Sequence, residues 1–461
     1  MRGSLSGIVG TIAALATLHV QSSTGSQVAA KTPQYQLLPS LREQADIVDA
    51  WTEERKALIP GLLRKYGVDA WLMSQREYAE DTVFWALKPS TAFSARRRTT
   101  QLFLADPSPP GSPTSYSWIE NTDLVWRELR AVLEVQQPAR IAVDAHRELA
   151  FASGLHAGER DAIATALGDE WAAKFVVAPM LPIEVVAHMV PGRLEWYRKM
   201  METSWAIIEE AFSEKIIVPG VTRSSDVEWW MREKIQALNY TTWFQPSVFI
   251  VGNDEFPGQA VDETVDDPHA PDRPINYGDL IHTDFGVSAL GLNTDTQHLG
   301  YVLRPGETEA DIPAGMLEGL KKVNRLQDIV KENMKIGLTG DEILMASRKQ
   351  MQAEGIEGKI YCHATGEWGH SAGAVIGMTN LQDGVPVLGE LPLLKNTYYS
   401  IELYAEHFVP EINQVLKFPQ EEDVYWDEDA QSWEWVYGRQ EKLLLVRSQE
   451  GKDSSYGAGE L

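Results

Sequence analysis

The sequence contains a single cysteine, Cys362, among 461 residues. No internal disulfide can form, so the stability of the fold must come from core packing, bound metal or assembly. A lone thiol is more often a small buried apolar group than a nucleophile. We therefore expect Cys362 to be buried rather than reactive.

Basic residues are also scarce. Lysine and arginine together number 41, against 66 aspartates and glutamates, which gives a formal net charge of −25. Such a charge repels a phosphate backbone, so nucleic acid is not expected as a partner. Most of these carboxylates are expected to form a solvated surface, and only a few of them to take part in chemistry.

Long apolar runs are missing as well. The apolar stretch 8–20 follows Arg2, is too short to span a bilayer, and gives way to the small and polar residues 21–23. This pattern predicts a signal peptide over residues 1–22 and a secreted or periplasmic protein without a stable membrane anchor. An N-terminal segment that is disordered or buried in the core is the alternative interpretation.

The first half of the chain, residues 36–186, has the pattern of an α/β domain. Short β-type runs alternate in it with stretches of helical periodicity. The predicted strands cover 70–73, 101–104, 140–143 and 175–177, and the predicted helices cover 42–66 and 124–135. A polar break with proline and glycine at 190–192 predicts the domain boundary.

The second half, residues 190–447, begins with helices and continues as a strand-rich region. Helices are predicted at 194–215, 225–238, 314–335 and 339–354, with short strands and turns around the last two. This order predicts an α+β fold rather than a doubly wound sheet. Residues 448–461 are expected to form a flexible tail.

Two aspartates in this half, Asp284 and Asp295, lie eleven residues apart. One continuous strand would place them on opposite faces, because side chains alternate along a strand. Folding the segment back around residues 289–291 makes them cross-strand neighbours on one face. Two carboxylates directly opposite each other must share a proton or hold a cation. The alternative is a pair of unrelated, solvent-facing aspartates.

Three further candidates lie downstream. His370 stands in the glycine-flanked run 369–373, Glu402 in the apolar run 399–403, and Glu421 in the acidic run 420–424. A carboxylate that faces inward from an apolar alternating run needs a partner to offset its loss of hydration. We therefore expect Glu402 to be part of a buried polar site.

The order of these five residues resembles the ligand set of the pita-bread metallopeptidases, which include methionine aminopeptidase, aminopeptidase P and prolidase. Residues 268–279 resemble the family's stretch just before its first aspartate, and the likeness extends from about residue 40 to 447. It implies a pita-bread catalytic domain over 190–447, a creatinase-type N-terminal α/β domain over 36–186, and a homodimer. The implied activity is that of an Xaa-Pro aminopeptidase or dipeptidase acting on a peptide or small amide.

The resemblance also implies roles. Asp284 would chelate one metal ion, Asp295 and Glu421 would bridge two ions, and His370 with Glu402 would complete the second ion's ligands. An oxygen-rich set with one imidazole favours Mn²⁺, with Zn²⁺ or Co²⁺ as alternatives. A hydroxide bridging the two ions would attack the amide carbonyl. Glu402 would carry the proton to the leaving nitrogen, and His269 would steady the substrate.

The sequence departs from the family pattern at one position. Aminopeptidase P-like enzymes have a second histidine seven residues after the ligand histidine, where Gly377 stands here. His363 and His407 are the nearby candidates for that helper, and His363 is the one predicted to be catalytic. Glu421 is preferred over its neighbour Glu422 as the last ligand, because it stands three residues before an apolar strand position.

Three rival interpretations remain open. The run 369–373 also matches G-x-S-x-G, the nucleophile elbow of serine hydrolases, although its preceding residues do not look like a buried strand. A metal-free creatinase-like enzyme, or a non-catalytic pita-bread binding protein, would keep the fold without the metal chemistry. A metal-dependent hydrolase of a non-peptide amide or lactam would keep the metals and change the substrate.

Overall fold

The computed structural model describes residues 32–252 and 272–447. The predicted signal peptide, His269 and the predicted tail lie outside these ranges. The helices of the described part are α1 Leu41–Lys65, α2 Thr82–Leu87, α3 Leu124–Gln136, α4 Ala157–Leu167, α5 Asp169–Ala172, α6 Met180–Ala187, α7 Arg193–Ala211, α8 Ser224–Ala237, α9 Ala314–Asn333 and α10 Gly340–Ala353. None of these helices is long and apolar enough to cross a bilayer.

The strands form two principal sheets. The first half of the chain contributes β1 Ala70–Arg76, β2 Arg98–Leu104, β3 Ser115–Ile119, β4 Ile141–Ala142 and β5 Phe175–Val176. The second half contributes β6 Ser247–Ile250, β7 Leu280–Phe285, β8 Ser288–Ala289, β9 Leu292–Asn293, β10 Thr296–Val302, β11 Glu357–Ile360, β12 His363–Thr365, β13 Tyr398–Val409, β14 Gln414–Asp427, β15 Ser432–Trp435 and β16 Leu444–Val446. The predicted α+β class is confirmed.

The first sheet has the order β3-β2-β1-β4-β5. Its central strand β1 pairs antiparallel with β2 and parallel with β4, so the sheet is mixed. Apart from its last residue β1 is buried throughout, as expected for a strand covered on both faces. All four strands predicted from the apolar runs of this half are present, and β3, which alternates between exposed and half-buried residues, is the additional one.

Helix α1 begins where the sequence signals a helix start. Ser40 accepts a hydrogen bond from the backbone N–H of Glu43, and the Glu43 carboxylate accepts one from the N–H of Ser40. This capping box satisfies two N–H groups that have no partner inside the helix. The opposite end carries Arg64 and Lys65, whose charges favour the negative end of the helix dipole.

The second sheet contains nine strands, with a main path β11-β13-β14-β10-β7-β6. Strands β12, β15 and β16 pair with β13, β14 and β10 respectively. Helix α9 lies against β13 and β14, and α10 packs on α9. The longest strands of the described chain, β13 and β14, therefore run through the centre of this half with an apolar helical layer against them.

A buried ion cluster connects the two halves. Glu367 lies between the guanidinium groups of Arg55 on α1 and Arg193 at the start of α7, with Arg193 Nη1 at 3.3 Å. Burial disfavours the charged form of Glu367, but the two guanidinium groups outweigh it and lower the pKa of this carboxyl. Because Glu367 lies between His363 and His370, the cluster attaches the histidine-bearing loop to helices of both halves.

Candidate metal centre

Four neighbouring strands place polar side chains in one row across the second sheet. Glu402 on β13 pairs with Glu421 on β14, Glu421 pairs with Gln297 on β10, and Gln297 pairs with Asp284 on β7. Residues that pair directly in a sheet project from the same face. The sheet register therefore gathers three carboxylates that are far apart in the sequence.

The prediction that Asp284 and Asp295 lie directly opposite each other is wrong. Gln297 faces Asp284, and Asp295 precedes β10 by one residue. Residues 288–293 form the small hairpin β8–β9 between β7 and β10. The connection between the two paired strands is therefore longer than the simple turn that the prediction assumed. Asp295 is two residues from Gln297, so its side chain lies on the same face of the sheet as that of Gln297. It is therefore a diagonal neighbour of Asp284.

The structure brings these side chains into two groups that share one member. Oxygen or nitrogen atoms of Asp295, His363 and Glu421 all lie within 4.8 Å of one another, and so do atoms of Asp284, Glu402 and Glu421. His363 Nε2 is 3.6 Å from Asp295 Oδ2, 3.5 Å from Glu421 Oε1 and 3.9 Å from Glu402 Oε2. Glu421 is therefore the one residue that belongs to both groups.

The electrostatics of the cluster favour a bound cation. Burial raises the pKa of Asp295 and of Glu402 well above the ordinary value, and the neighbouring carboxylate of Glu421 raises both further. His363 Nε2 is buried and has no hydrogen-bond partner within the described part of the chain. Carboxylates that repel one another around a free imidazole nitrogen fit divalent metal ions, which take oxygen and imidazole ligands.

Further polar groups, which the sequence reasoning missed, hold the cluster in place. Gln297 Nε2 donates to Glu402 Oε1 at 2.6 Å and to Glu421 Oε2 at 3.0 Å, and Ser400 Oγ donates to Glu421 Oε1 at 2.6 Å. Asp423 Oδ2 accepts the backbone N–H of Asp295 at 3.2 Å. Each of these three residues stands two positions from a predicted ligand, and the period of a strand is the signal that could have found them.

His363 and His370 differ in their distance from the carboxylates, and the order is opposite to the one that the sequence suggested. His363 lies on β12, which pairs with β13, and joins the carboxylates. His370 lies outside both groups, with its ring edge-on to that of His363 at 4.5 Å and to that of Trp243 at 5.2 Å. The assignment of His370 as the ligand and His363 as the helper stays a prediction, and the geometry brings His363 rather than His370 to the carboxylates. The pair is also seven residues apart, the spacing expected between the ligand histidine and its helper.

Glycines explain the path of the loop between the histidines and beyond. A Cβ at Gly369 would lie 2.2 Å from the ring of Trp243, so only glycine lets the chain pass this close. Gly377 has φ +78°, and a Cβ there would lie 2.2 Å from the carbonyl oxygen of Ile360. A histidine at 377 would be strained, whereas the ring of His370 lines the cavity over the carboxylates.

The remaining candidates lie elsewhere. Glu422 projects from the opposite face of β14, where His298 Nε2 is 2.9 Å from its Oε1. His407 packs against Phe418 and does not line the cavity described below. Cys362 is buried as expected, and burial raises the pKa of its thiol. His269, predicted to steady the substrate, lies outside the described residues.

Ser371 lacks the setting of a nucleophile elbow. Within the described chain, residues 366–373 form turns and bends, so no strand runs directly into Ser371 and no helix follows it. Its backbone N–H donates to the carbonyl oxygen of Ala364. The geometry therefore gives no support to the serine-hydrolase interpretation.

A cavity of about 750 Å³ adjoins the two groups of carboxylates and histidine. Its floor includes Asp284, Gln297, His363 and Glu402, while Asp295 and Glu421 lie deeper and do not line it. Its apolar walls come from both halves of the chain and include Leu149, Phe151, Ile183, Phe244, Phe249 and Leu391. The carboxylate of Glu402 thus lies where the cluster meets the space for a ligand.

The sequence matches metallopeptidase family M24 over residues 195–428, just over half of the chain. The chain therefore belongs to metallopeptidase family M24, and the expectation of a peptidase with a pita-bread catalytic domain is confirmed. Its carboxylate and histidine groups provide a place where the divalent metal of such an enzyme could bind.

Solved structures share this fold over most of the chain. An X-Pro aminopeptidase from Thermotoga maritima MSB8 is 16% identical, with a TM-score of 0.57 over 84% of this chain and 99% of its own. The dipeptidase PepE from Mycobacterium ulcerans is 18% identical, with a TM-score of 0.54 over 87% and 99%. An Xaa-Pro dipeptidase from Bacillus anthracis is 15% identical, with a TM-score of 0.52 over 86% and 99%. The comparison with curated proteins gave no match.

We predict that metal removal destabilises the protein in a pH-dependent way. Without metal, folding raises the pKa values of Asp295 and Glu402. As pH rises, these carboxyls lose their protons at a lower pH in the unfolded chain than in the folded protein. The metal-free protein therefore loses stability as pH rises. A hundredfold excess of Mn²⁺ over Kd corresponds to about 2.7 kcal/mol per site. At one fixed Mn²⁺ concentration the stabilisation should be larger at about pH 8 than at about pH 5.5, because protons compete with the metal for the carboxylates. Thermal denaturation of EDTA-treated protein with and without Mn²⁺ measures this, and an equal metal effect at both pH values would contradict it.

Proposed function

We propose that this peptidase uses two divalent metal ions to hydrolyse the amide bond of Xaa-Pro peptides. The observation that carries the proposal is the position of Glu421, which belongs to both groups of potential ligands. Asp284 and Glu402 would complete one set of ligands, and Asp295 with His363 the other. When bound, two such ions polarise an amide carbonyl and supply hydroxide near neutral pH. Mn²⁺ suits this oxygen-rich set best, with Zn²⁺ or Co²⁺ as alternatives.

Glu402 is the residue proposed to move the proton. Its side chain is 19% exposed, against 5% for Asp295 and 1% for Glu421, so it is the group among these three that a substrate in the cavity can reach. In the metal-free protein, burial and the neighbouring Glu421 raise the pKa of Glu402 well above its ordinary value. The Gln297 amide keeps Glu402 Oε1 in place at 2.6 Å.

His370 is proposed to contact the substrate rather than the metal. It lines the cavity beside His363, and its pKa is lowered to about 4, first by the neighbouring charge of His363 and then by burial. A neutral imidazole can donate one hydrogen bond to a substrate oxygen. The apolar walls have room for the proline ring, and the fold shared with proline-directed peptidases supports that preference.

Export and dimerisation are also proposed. Export is supported by the composition of residues 1–22, and the homodimer by the family resemblance alone. Expression with the natural N-terminus should give a secreted product that begins after residue 22 and has twice the chain mass by light scattering. Retention inside the cell with residues 1–22 intact would contradict export, and a monomeric mass would contradict the dimer.

We predict that Asp295→Asn abolishes metal binding and turnover together. The substitution removes one negative charge from the buried cluster at nearly constant shape, so about two bound ions per chain should fall to fewer than one. Metal analysis after gel filtration and hydrolysis of an Xaa-Pro peptide provide the two measurements. Asp429→Asn, at an exposed position after β14, is the matched control and should keep both. An Asp295→Asn protein with full metal content and full activity would exclude the proposed site.

We predict that His363→Ala and His370→Ala fail in different ways. Loss of the His363 imidazole should weaken metal binding by about tenfold or more, because it removes one of the proposed ligands. His370→Ala should keep the metals and lower kcat by about a hundredfold, because it removes a donor to the substrate. Metal titration of both variants, followed by kinetics at saturating metal, separates the roles. Metal loss only in His370→Ala would restore the assignment made from the sequence.

A further inference from the structure

The lining of the cavity has no basic side chain among the described residues that form it. Its acidic groups are Asp284, Glu402 and Glu148, and the rest of the lining is apolar or neutral polar, apart from three histidines. His282 Nε2 is 3.0 Å from Oε1 of Gln297, and His363 Nε2 is 3.5 Å from Oε1 of Glu421, so both rings face groups of the protein itself. Residues 253–271, which the structure does not describe, contain no lysine or arginine.

Bound metal does not supply the missing positive charge. The four carboxylates of the two groups, when ionised, balance the four charges of two divalent ions. Glu148, which is exposed at the rim, then leaves the lining slightly negative. Lys359 approaches the wall from outside, and its Nζ donates to the carbonyl oxygen of Thr379 at 2.7 Å. Among the described residues that line the cavity, no lysine or arginine is therefore present to pair with an anion on the substrate.

This charge pattern separates two kinds of peptide. A dipeptide carries a free carboxylate on the residue that follows the scissile amide, whereas a longer or amidated peptide carries a neutral amide there. In this cavity that carboxylate would meet apolar walls and the acidic Glu148, and no lysine or arginine among the described lining residues. Desolvating an unpaired anion near a like charge is costly, whereas a neutral amide avoids that cost.

We propose that the site selects substrates with no free carboxylate on the residue after the scissile bond. The enzyme would then act as an aminopeptidase on longer or capped peptides rather than as a dipeptidase. The proposal rests on the proposed function, because it assumes that the amide is cleaved in this cavity. It assigns Glu148 a part in specificity through its charge at the rim.

The test compares matched substrates on the full-length, Mn²⁺-loaded protein. Phe-Pro-amide and Phe-Pro differ only in the charge of the terminal group, and we expect kcat/KM to be at least about tenfold higher for the amide. Calorimetric titration of EDTA-treated protein, which does not cleave the peptides, should also show tighter binding of the amide than of the free dipeptide. Equal or faster cleavage of the free dipeptide would overturn the selection while leaving the proposed function intact. Failure to cleave either peptide would overturn both.

A charge reversal at the rim gives an independent measurement. Glu148→Arg places a guanidinium beside the cavity at an exposed position, so the preference for the amide over the free dipeptide should fall by about fivefold or more. Glu134→Arg makes the same charge change at an exposed position of α3 that does not line the cavity, and should leave the ratio unchanged. An unchanged ratio in Glu148→Arg, or an equal change in Glu134→Arg, would refute the role of the rim charge.

Discussion

Repulsion among buried carboxylates is the constraint on which the active half of this protein depends. Asp295, Glu402 and Glu421 lie close enough for the pKa values of the first two to be raised by their neighbours as well as by burial. Such a cluster is costly in a folded protein unless a cation offsets the charge. The same repulsion that weakens the metal-free fold provides the affinity for metal, so stability and function are coupled through one group of side chains.

The sheet supplies the precision that this cluster requires. Four strands in register set the spacing of Glu402, Glu421, Gln297 and Asp284, and long paired strands are more rigid than loops. The histidines are less well fixed by the sheet, because only His363 lies on a strand. The loop that carries His370 is held instead by the buried pairing of Glu367 with Arg55 and Arg193, which makes the first half of the chain part of the support for the site.

The first half of the chain also shapes the space above the metal-binding groups. Leu149, Phe151 and Ile183 face the cavity together with Phe244 and Phe249 of the second half. Chemistry and selectivity are thereby divided between two parts of the structure. In the proposed function, the polar row of the sheet would hold the reacting bond, and the walls and the charge of the rim would select among its neighbouring groups.

The sequence by itself determined the six longest helices, the strands β1, β2, β4 and β5 and the α+β class, because periodicity and apolar patterning are local properties. The carboxylates that converge were named through the resemblance to a known family. It did not determine that Gln297 rather than Asp295 faces Asp284, since the register depends on the hairpin β8–β9. It also predicted His370 as a ligand, whereas the fold brings His363 close to the carboxylates. Both histidines have suitable chemistry and spacing, and only the pairing of β12 with β13 decides which ring reaches the carboxylates. Contacts between residues far apart in the chain are set by tertiary packing, which local sequence patterns do not encode.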